Sequence, residues 1–452
     1  MSTLGRDDAR AAVFTATDVR GVVGDPLDAD FAWRLGRACA DELGGPELVV
    51  GRDMRPSSPE LARAFMGGVR AGGVATLDVG LCPTDLVSYA AGVLDLPGAM
   101  WTASHNPAGY NGLKLCRAGA APVAHDTGLS VIRDRALGDD HPQAAAPGGH
   151  RELDLTDAYV AHARALVDTR ALAGLRVAVD AGNGMAGMII PRVLDGLGVD
   201  LWGLHLELDG TFPHHPADPL DAANLADLQA QVRAAPVDVG LAFDGDADRV
   251  VCVDEHGRVV APSLIGAIIA ERVLSRRPGA TVAHNAICSR TVAETIERCN
   301  GTAVCTPVGH SLIKAAMRDT GALFGAEHSG HYYFHEHFDA DSGVVATLVL
   351  LEALGRAGGS VSALVAPVDR YVASGEINRG VVDPDAAMQR VATAFAGQGA
   401  IDRLDGLTVS ATRWWLNLRR SNTEPLLRLN VEGDDADTMA SVRDRVLALV
   451  DT

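Results

Sequence analysis

The sequence Asp244-Gly-Asp246-Ala-Asp248-Arg249 sets three carboxylates at alternating positions, separated by the two smallest residue types. Such spacing lets the backbone curl so that all three acids converge on one cation. Hard oxygen ligands suit Mg²⁺, which keeps positions open for phosphate or water. A solvated acidic turn and a calcium loop are the competing readings. Glu255 is twelfth counting from Asp244, as an EF-hand requires, but VCVD (251–254) reads as a strand rather than the rest of a loop. The metal reading leads, with magnesium ahead of calcium.

A second reactive pattern is WTASHNPAGYNGLKLC (101–116), where Ser104 and His105 sit side by side before an Asn106-Pro107 turn. Ser104 could act as a nucleophile with His105 as its base, or both could cap backbone groups. Lys114 follows ten residues later. Near the far end, RRSNTEPLLRL (419–429) offers Arg419, Ser421, Asn422 and Thr423 on a tight turn before a strand. A guanidinium, hydroxyls and backbone N–H groups match the oxygens of a phosphate; a capped turn is the plainer alternative.

GAEHSGHYYFHEHFDADSG (325–343) concentrates Glu327, His328, Ser329, His331, His335 and His337. His331 and His335 are four apart, so a zinc site on a helix is conceivable. Gly330 and the two tyrosines argue instead for a loop entering a strand. Glu327 and Ser329 beside a glycine turn suit hydrogen bonds to sugar hydroxyls, and His335 and His337 read as surface histidines without a role. AGNGMAG (181–187) has dinucleotide-type glycine spacing after a strand, with Asp200 about twenty residues on. No later motif supplies hydride chemistry, so a tight strand-to-helix turn is the better reading. Arg20 in FTATDVRG (14–21) and His310 in VGHSLIK (308–314) also precede or follow glycine turns.

The elements that must position these groups alternate strand-like and helix-like runs through three quarters of the chain, which favours parallel α/β units. LVVGRDMRP, RVAVDAGNG, VGLAFDGDADR and ATVAHNAICSR are apolar runs ending in polar or glycine turns. The first three carry Asp53, Asp180 and Asp244 at the carboxyl edge, where ligands gather in parallel sheets. Beyond residue 367 the texture changes to antiparallel strands with short helices. At 452 residues several domains are expected. GDDHPQAAAPGGH (138–150) reads as a linker, and the boundaries fall at 1–148, 149–255, 256–367 and 368–452.

The seven cysteines form no Cys-x-x-Cys pair and point to thiols in a reducing cytoplasm. The first residues show no apolar leader, and no run approaches a membrane span. A net charge of −19 argues against nucleic acid or an anionic membrane as partner. An anionic small substrate then demands cations concentrated at its site.

Taken together, TDVRG, TASHNP with NGLK, DGDADR, GHSLIK with EHSGH, and RRSNTEP resemble the α-D-phosphohexomutase superfamily, specifically the bacterial phosphomannomutase/phosphoglucomutases. The segments that carry these matches run from residue 14, in FTATDVRG, to residue 429, in RRSNTEPLLRL. The resemblance implies four domains around a central cleft, three α/β and a smaller C-terminal α+β domain. It implies that Ser104 carries a phosphoryl group and, with Asp244, Asp246 and Asp248, holds one Mg²⁺ per chain. Phosphoserine would convert a hexose 1- or 6-phosphate into a 1,6-bisphosphate intermediate, which also serves as activator, and recover the other phosphoryl group. Arg249 would stabilise the transferring group. Lys114, Arg20 and His310 would assist proton transfer or hold the phosphoryl, with His105 shaping the loop or touching it. Glu327 and Ser329 would contact sugar hydroxyls, and Arg419, Ser421, Asn422 and Thr423 would grip the non-reacting phosphate, with His331 lining that pocket.

Two departures bear on specificity: Thr17 stands where many relatives carry tyrosine, and Ala326 lies between Gly325 and Glu327. SNTEP favours mannose and glucose phosphates over the alternative, a phosphoglucosamine mutase. A phosphoserine hydrolase and a catalytically silent sugar-phosphate-binding protein are the other readings. The intact Ser104, three aspartates and Lys114 weigh against the silent one. A cytoplasmic monomer or homodimer acting on small hexose phosphates is expected.

Overall fold

In the computed structural model, which describes residues 6–421 and 426–451, the chain gathers into two compact units. One contains residues through Pro262 together with Ser329–Leu364. The other contains Ser263–His328 together with the chain from Val365.

The first unit holds two main sheets. The larger orders its strands Val19–Val22, Tyr110–Arg117, Gly98–Trp101, Glu47–Arg52, Ala75–Leu81 and His150–Glu152, with Ala121–Pro122 beside Tyr110–Arg117. Glu47–Arg52 runs parallel to both of its neighbours. Its centre is buried throughout, which is why LVVG reads as a continuous apolar run instead of alternating. Tyr110–Arg117 returns antiparallel and sets Lys114 opposite Met100 and Gly112 opposite Arg20.

Helices Ala29–Leu43 and Ser58–Ala71 bury Phe31, Leu35, Phe65 and Val69 in the same core as Trp101. They approach so closely that a Cβ on Gly68 would lie 1.9 Å from the Trp33 carbonyl oxygen. Backbone cannot retreat as a flexible side chain can. Gly68→Ala is therefore expected to cost about 1–3 kcal/mol, read as a lower urea midpoint of this unit; an unchanged midpoint would contradict the packing argument.

The second sheet orders Val259–Val260, Val250–Val253, Val239–Phe243, Arg176–Asp180 and Asp200–Leu204. Arg176–Asp180 is parallel to both neighbours, whereas Val239–Phe243 and Val250–Val253 pair antiparallel, Phe243 opposite Val250. The aspartate motif is thus the six-residue connection of a hairpin. Glu255 lies beyond that hairpin and accepts the Ser362 amide at 3.1 Å, so it is no ligand of a calcium loop. AGNGMAG turns from Arg176–Asp180 into the helix Ala186–Leu194. A Cβ on Gly187 would lie 2.0 Å from the Leu206 carbonyl oxygen, so this glycine serves packing of the turn.

Two expectations change in detail. The stretch 138–149 carries no regular element, yet it is pinned: Arg70 Nε donates to the Gly148 carbonyl at 2.9 Å, and the Ala144 amide to Ala71 at 2.8 Å. His150, its last residue, opens a strand parallel to Ala75–Leu81. His337 is not at the surface. The single turn His335–His337 tucks its ring inward, fully buried, with Nδ1 3.2 Å from His162 Nε2. His335 does stay exposed, paired with Asp339 at 2.8 Å.

In the second unit, Thr302–Thr306, Thr281–Asn285 and Phe324–Ala326 form a parallel sheet. After residue 367 the strands Val372–Ala373, Ile377–Gly380, Ala400–Asp402, Leu407–Ser410, Trp414–Arg420 and Leu426–Gly433 pair antiparallel. Helices Pro384–Ala394 and Ala436–Val450 share their core, the α+β texture expected from the sequence. Among the described residues no helix is long and apolar enough to cross a membrane, and no disulfide joins the cysteines.

Candidate active site

Ser104 follows the strand Gly98–Trp101 and is buried with a positive φ of 49°. That conformation is unusual for a residue with a side chain and persists only where the surroundings impose it. Its amide donates to Thr102 Oγ1 at 2.9 Å, and its carbonyl accepts from Arg55 Nη2 at 2.8 Å. The hydroxyl is thereby aimed at the aspartate hairpin, where Ser104 Oγ donates to Asp244 Oδ2 at 2.5 Å and accepts from Arg249 Nη2 at 3.2 Å.

The three aspartates are essentially inaccessible. Lys114 Nζ lies 2.7 Å from Asp246 Oδ2 and 2.5 Å from Asp248 Oδ2, while Arg249 pairs with Asp244 at 3.1 Å. Thr84 Oγ1 adds a hydrogen bond to Asp246 at 2.6 Å. Burial raises the Asp244 pKa well above the ordinary carboxylate range, and repulsion from Asp248 adds to it. Burial and Asp248 also oppose the charge on Asp246, but Lys114 and Thr84 outweigh them and its pKa falls. For Asp248, burial is outweighed by Lys114 first and His331 next, so it too is held low. Burial works against the charge on Lys114, yet the two carboxylates raise its pKa and hold it protonated.

This cluster fits a divalent cation. One carboxylate oxygen from each of Asp244, Asp246 and Asp248 lies within 4.8 Å of the others. Asp246 Oδ1 and Asp248 Oδ1 are buried and accept no hydrogen bond from any described residue. Burial and repulsion from Asp248 disfavour the charge on Asp244, a penalty that a cation among the three carboxylates relieves, and the donors are hard oxygens.

His105 does not behave as a base for Ser104. Its Nδ1 accepts from Arg249 Nη2 at 2.5 Å and sits 3.3 Å from Ser104 Oγ. Burial first, then Arg249 and Arg20, push its pKa down to about 2. Arg20 braces the same loop, donating to the Ala103 carbonyl at 3.0 Å and to Asn106 Oδ1 at 2.6 Å, with Asp18 2.9 Å from its Nε.

The histidine-rich segment divides between the two units. Ser329 and His331 belong to the first, where Ser329 Oγ meets His331 Nδ1 at 2.8 Å and His331 Nε2 lies 3.6 Å from Asp248 Oδ1. His331 enters the strand Tyr332–Phe334 after a bridge to Arg249, so no helix joins it to His335. Burial lowers its pKa to about 3 despite Asp248. Glu327 belongs to the second unit and is buried there; its Oε1 accepts from Asn285 Nδ2 at 3.1 Å and from the Gly309 amide at 3.3 Å. His310 begins the helix His310–Thr320 directly after that glycine.

Arg419 lies on Trp414–Arg420 opposite Arg428, and Glu376 bridges both at 3.1 and 3.0 Å. Arg419 Nε is buried and makes no hydrogen bond to a described residue, a donor available to an anion. The Ser421 amide donates to the Leu426 carbonyl at 2.9 Å; Asn422 and Thr423 lie outside the described residues.

Several participants escaped the motif reading. Arg55 donates to four carbonyls of the Ser104 loop, those of Ser104, Asn106, Pro107 and Tyr110, at 2.7–2.9 Å. Thr84, Asn285, Glu376 and Asp341 also touch the expected groups. Asp53 at a strand edge was the one available signal for Arg55, its neighbour by two positions.

Models of the phosphoglucomutase/phosphomannomutase family match along the chain: alpha/beta/alpha domain I at residues 11–140, domain II at 157–257, domain III at 261–371, and the C-terminal domain at 376–449. The phosphomannomutase of Salmonella montevideo is 38% identical over 450 residues, covering 97% of this chain and 99% of the relative. The phosphomannomutase/phosphoglucomutase of Pseudomonas aeruginosa PAO1 is also 38% identical, with 98% and 96% covered. A solved phosphoglucomutase/phosphomannomutase family protein from Burkholderia thailandensis superimposes with a TM-score of 0.90 at 33% identity, covering 98% of both chains. With four domain models in order and relatives matched nearly end to end, the chain belongs to the phosphoglucomutase/phosphomannomutase family of isomerases.

Proposed function

We propose that the protein interconverts hexose 1-phosphates and hexose 6-phosphates of mannose, glucose or both, with Ser104 as the phosphoryl carrier. The observation that carries this reading is the Ser104 hydroxyl aimed at Asp244 inside a buried aspartate hairpin flanked by Lys114 and Arg249. Binding alone requires no such nucleophile. Domain limits at 148, 255 and 367 and a cytoplasmic setting belong to the same reading.

Asp244, Asp246 and Asp248, with an oxygen on Ser104, would hold one Mg²⁺, which neutralises charge on the transferring phosphoryl. Phosphoryl transfer depends mainly on positioning and electrostatic stabilisation. Arg249, within hydrogen-bond reach of Ser104 Oγ, supports the phosphoryl on that oxygen. In the first transfer the bond from phosphorus to Ser104 Oγ breaks and one forms to the free hydroxyl of the sugar phosphate, which gives up its proton. The resulting 1,6-bisphosphate presents its other phosphate, whose phosphorus–oxygen bond breaks as Ser104 Oγ attacks; the departing sugar oxygen takes a proton. Lys114, held protonated beside the aspartates, and Arg20, braced on the loop, are the proton and charge partners in the first unit, and His310 the candidate in the second. His105 contributes as a neutral acceptor that orients Arg249.

In the second unit, Glu327 and the buried Nε of Arg419 support recognition of sugar hydroxyls and the non-reacting phosphate, with Ser421, Asn422 and Thr423 completing the phosphate loop. Ser329 joins the sugar contacts, and His331 lies beside Asp248.

The test is conversion of mannose 1-phosphate and glucose 1-phosphate to their 6-phosphates with Mg²⁺ and a trace of hexose 1,6-bisphosphate. Chelating the metal is expected to abolish turnover, and restoring Mg²⁺ to recover it. Absence of turnover with either sugar would overturn the assignment. Release of inorganic phosphate at the full rate would favour a hydrolase.

A further inference from the structure

Asp180 closes the strand Arg176–Asp180, is almost inaccessible, and has no part in the phosphotransfer described above. Its Oδ1 accepts the Gly182 amide at 2.9 Å, while Oδ2 faces His215 Nε2 at 3.1 Å. The other nitrogen of that ring, Nδ1, lies 2.9 Å from the Pro216 carbonyl oxygen. A carbonyl only accepts, so Nδ1 carries the proton of the neutral ring. The Nε2 lone pair is then directed at a carboxylate, and two lone pairs at this distance repel unless a cation lies between them. A second proton or a metal ion meets that requirement.

A second imidazole converges on the same point. His205 holds a positive φ of 51°, and one of its ring nitrogens, one of His215 and an Asp180 oxygen all lie within 4.8 Å of one another. Side-chain exposure is 13% for His205 and 15% for His215. The His205 ring stacks on His214 with centroids 4.0 Å apart, and His214 is itself held by Asn183 Oδ1 at 2.7 Å. Asp227 Oδ2 lies 3.3 Å from His205 Nε2, an outer carboxylate of the kind that orients metal-binding histidines.

We propose that Asp180, His205 and His215 bind a borderline divalent ion of the zinc class at a site separate from the aspartate triad. Two imidazoles and one carboxylate suit zinc over magnesium, and three protein ligands leave a fourth position for water. Tetrahedral bonds of about 2.0–2.1 Å set ligand atoms about 3.4 Å apart, so the Asp180–His215 pair is already spaced for it. Rotation of the partly exposed His205 closes the remainder.

The experiment uses metal-free full-length protein titrated with Co²⁺ in excess Mg²⁺, followed by visible absorption and equilibrium dialysis. One Co²⁺ per chain is expected, with tetrahedral d–d bands and no thiolate charge-transfer band. His205→Ala and His215→Gln should each weaken binding by more than about 100-fold, whereas Asp246→Asn should leave it in place. His205→Gln serves if His205→Ala does not fold. Binding unchanged by the histidine replacements, binding lost in Asp246→Asn, or no binding at all would each overturn the proposal. None of these readouts depends on sugar phosphate turnover.

Discussion

Ser104→Ala is expected to lower kcat by about 10⁴-fold or more, the scale seen when a nucleophile is removed from a concerted catalytic unit, and to remove phosphoserine from the protein. The side chain makes few contacts that stabilise the fold: a hydrogen bond to Asp244, one from Arg249, and a longer 3.3 Å approach to His105 Nδ1. The loop itself is held by backbone groups, through Thr102 and Arg55, so alanine leaves its path intact. Coupled assays with both hexose 1-phosphates and the intact mass of the purified protein measure the two effects. Activity within about tenfold of the parent would remove Ser104 from the mechanism. Loss of turnover with a normal unfolding curve would separate chemistry from stability.

The second large effect is expected at Arg55, which lies in the LVVGRDMRP run but is no candidate site residue by sequence. Its guanidinium is fully buried, donates to four backbone carbonyls of the Ser104 loop, and pairs with buried Asp53 at 3.2 Å. Burial lowers its pKa, with Asp53 acting against that shift. Arg55→Met strands a buried carboxylate and leaves the carbonyls without their donor. The expected cost is about 3–5 kcal/mol, seen in urea unfolding of this unit, together with a fall in kcat as the Ser104 loop loses its path. Lysine should not rescue it, because one ammonium cannot span carbonyls that a planar five-donor fork reaches. A loss below about 1 kcal/mol with full activity would show that Arg20 and the turn suffice to hold the loop.

The two arginines show how differently sequence and structure expose a functional group. Arg20 lies within TDVRG, and the structure finds it on Ala103 and Asn106 of the Ser104 loop. Arg55 follows an apolar strand and an aspartate with no distinctive spacing, and its partners are 49 to 55 positions away. Similarly, Thr84 meets Asp246 across 162 positions. His337 reads as surface because it sits among charged residues, yet its turn buries it. Local composition carries no record of such encounters.

From the sequence alone followed the strand ends bearing Asp53, Asp180 and Asp244, the antiparallel C-terminal texture, three closely spaced aspartates able to converge on one cation, and the family. These depend on side-chain period and on residue types at short spacing, both local properties. Tertiary structure alone decided that Ser104 points at Asp244, that Lys114 and Arg249 pair with the buried acids, and that burial and Arg249 push the His105 pKa down to about 2 and make it a neutral acceptor. It also brought His205 and His215 to Asp180. Distances between remote residues, and the desolvation that sets their charge, exist only once the chain has closed on itself.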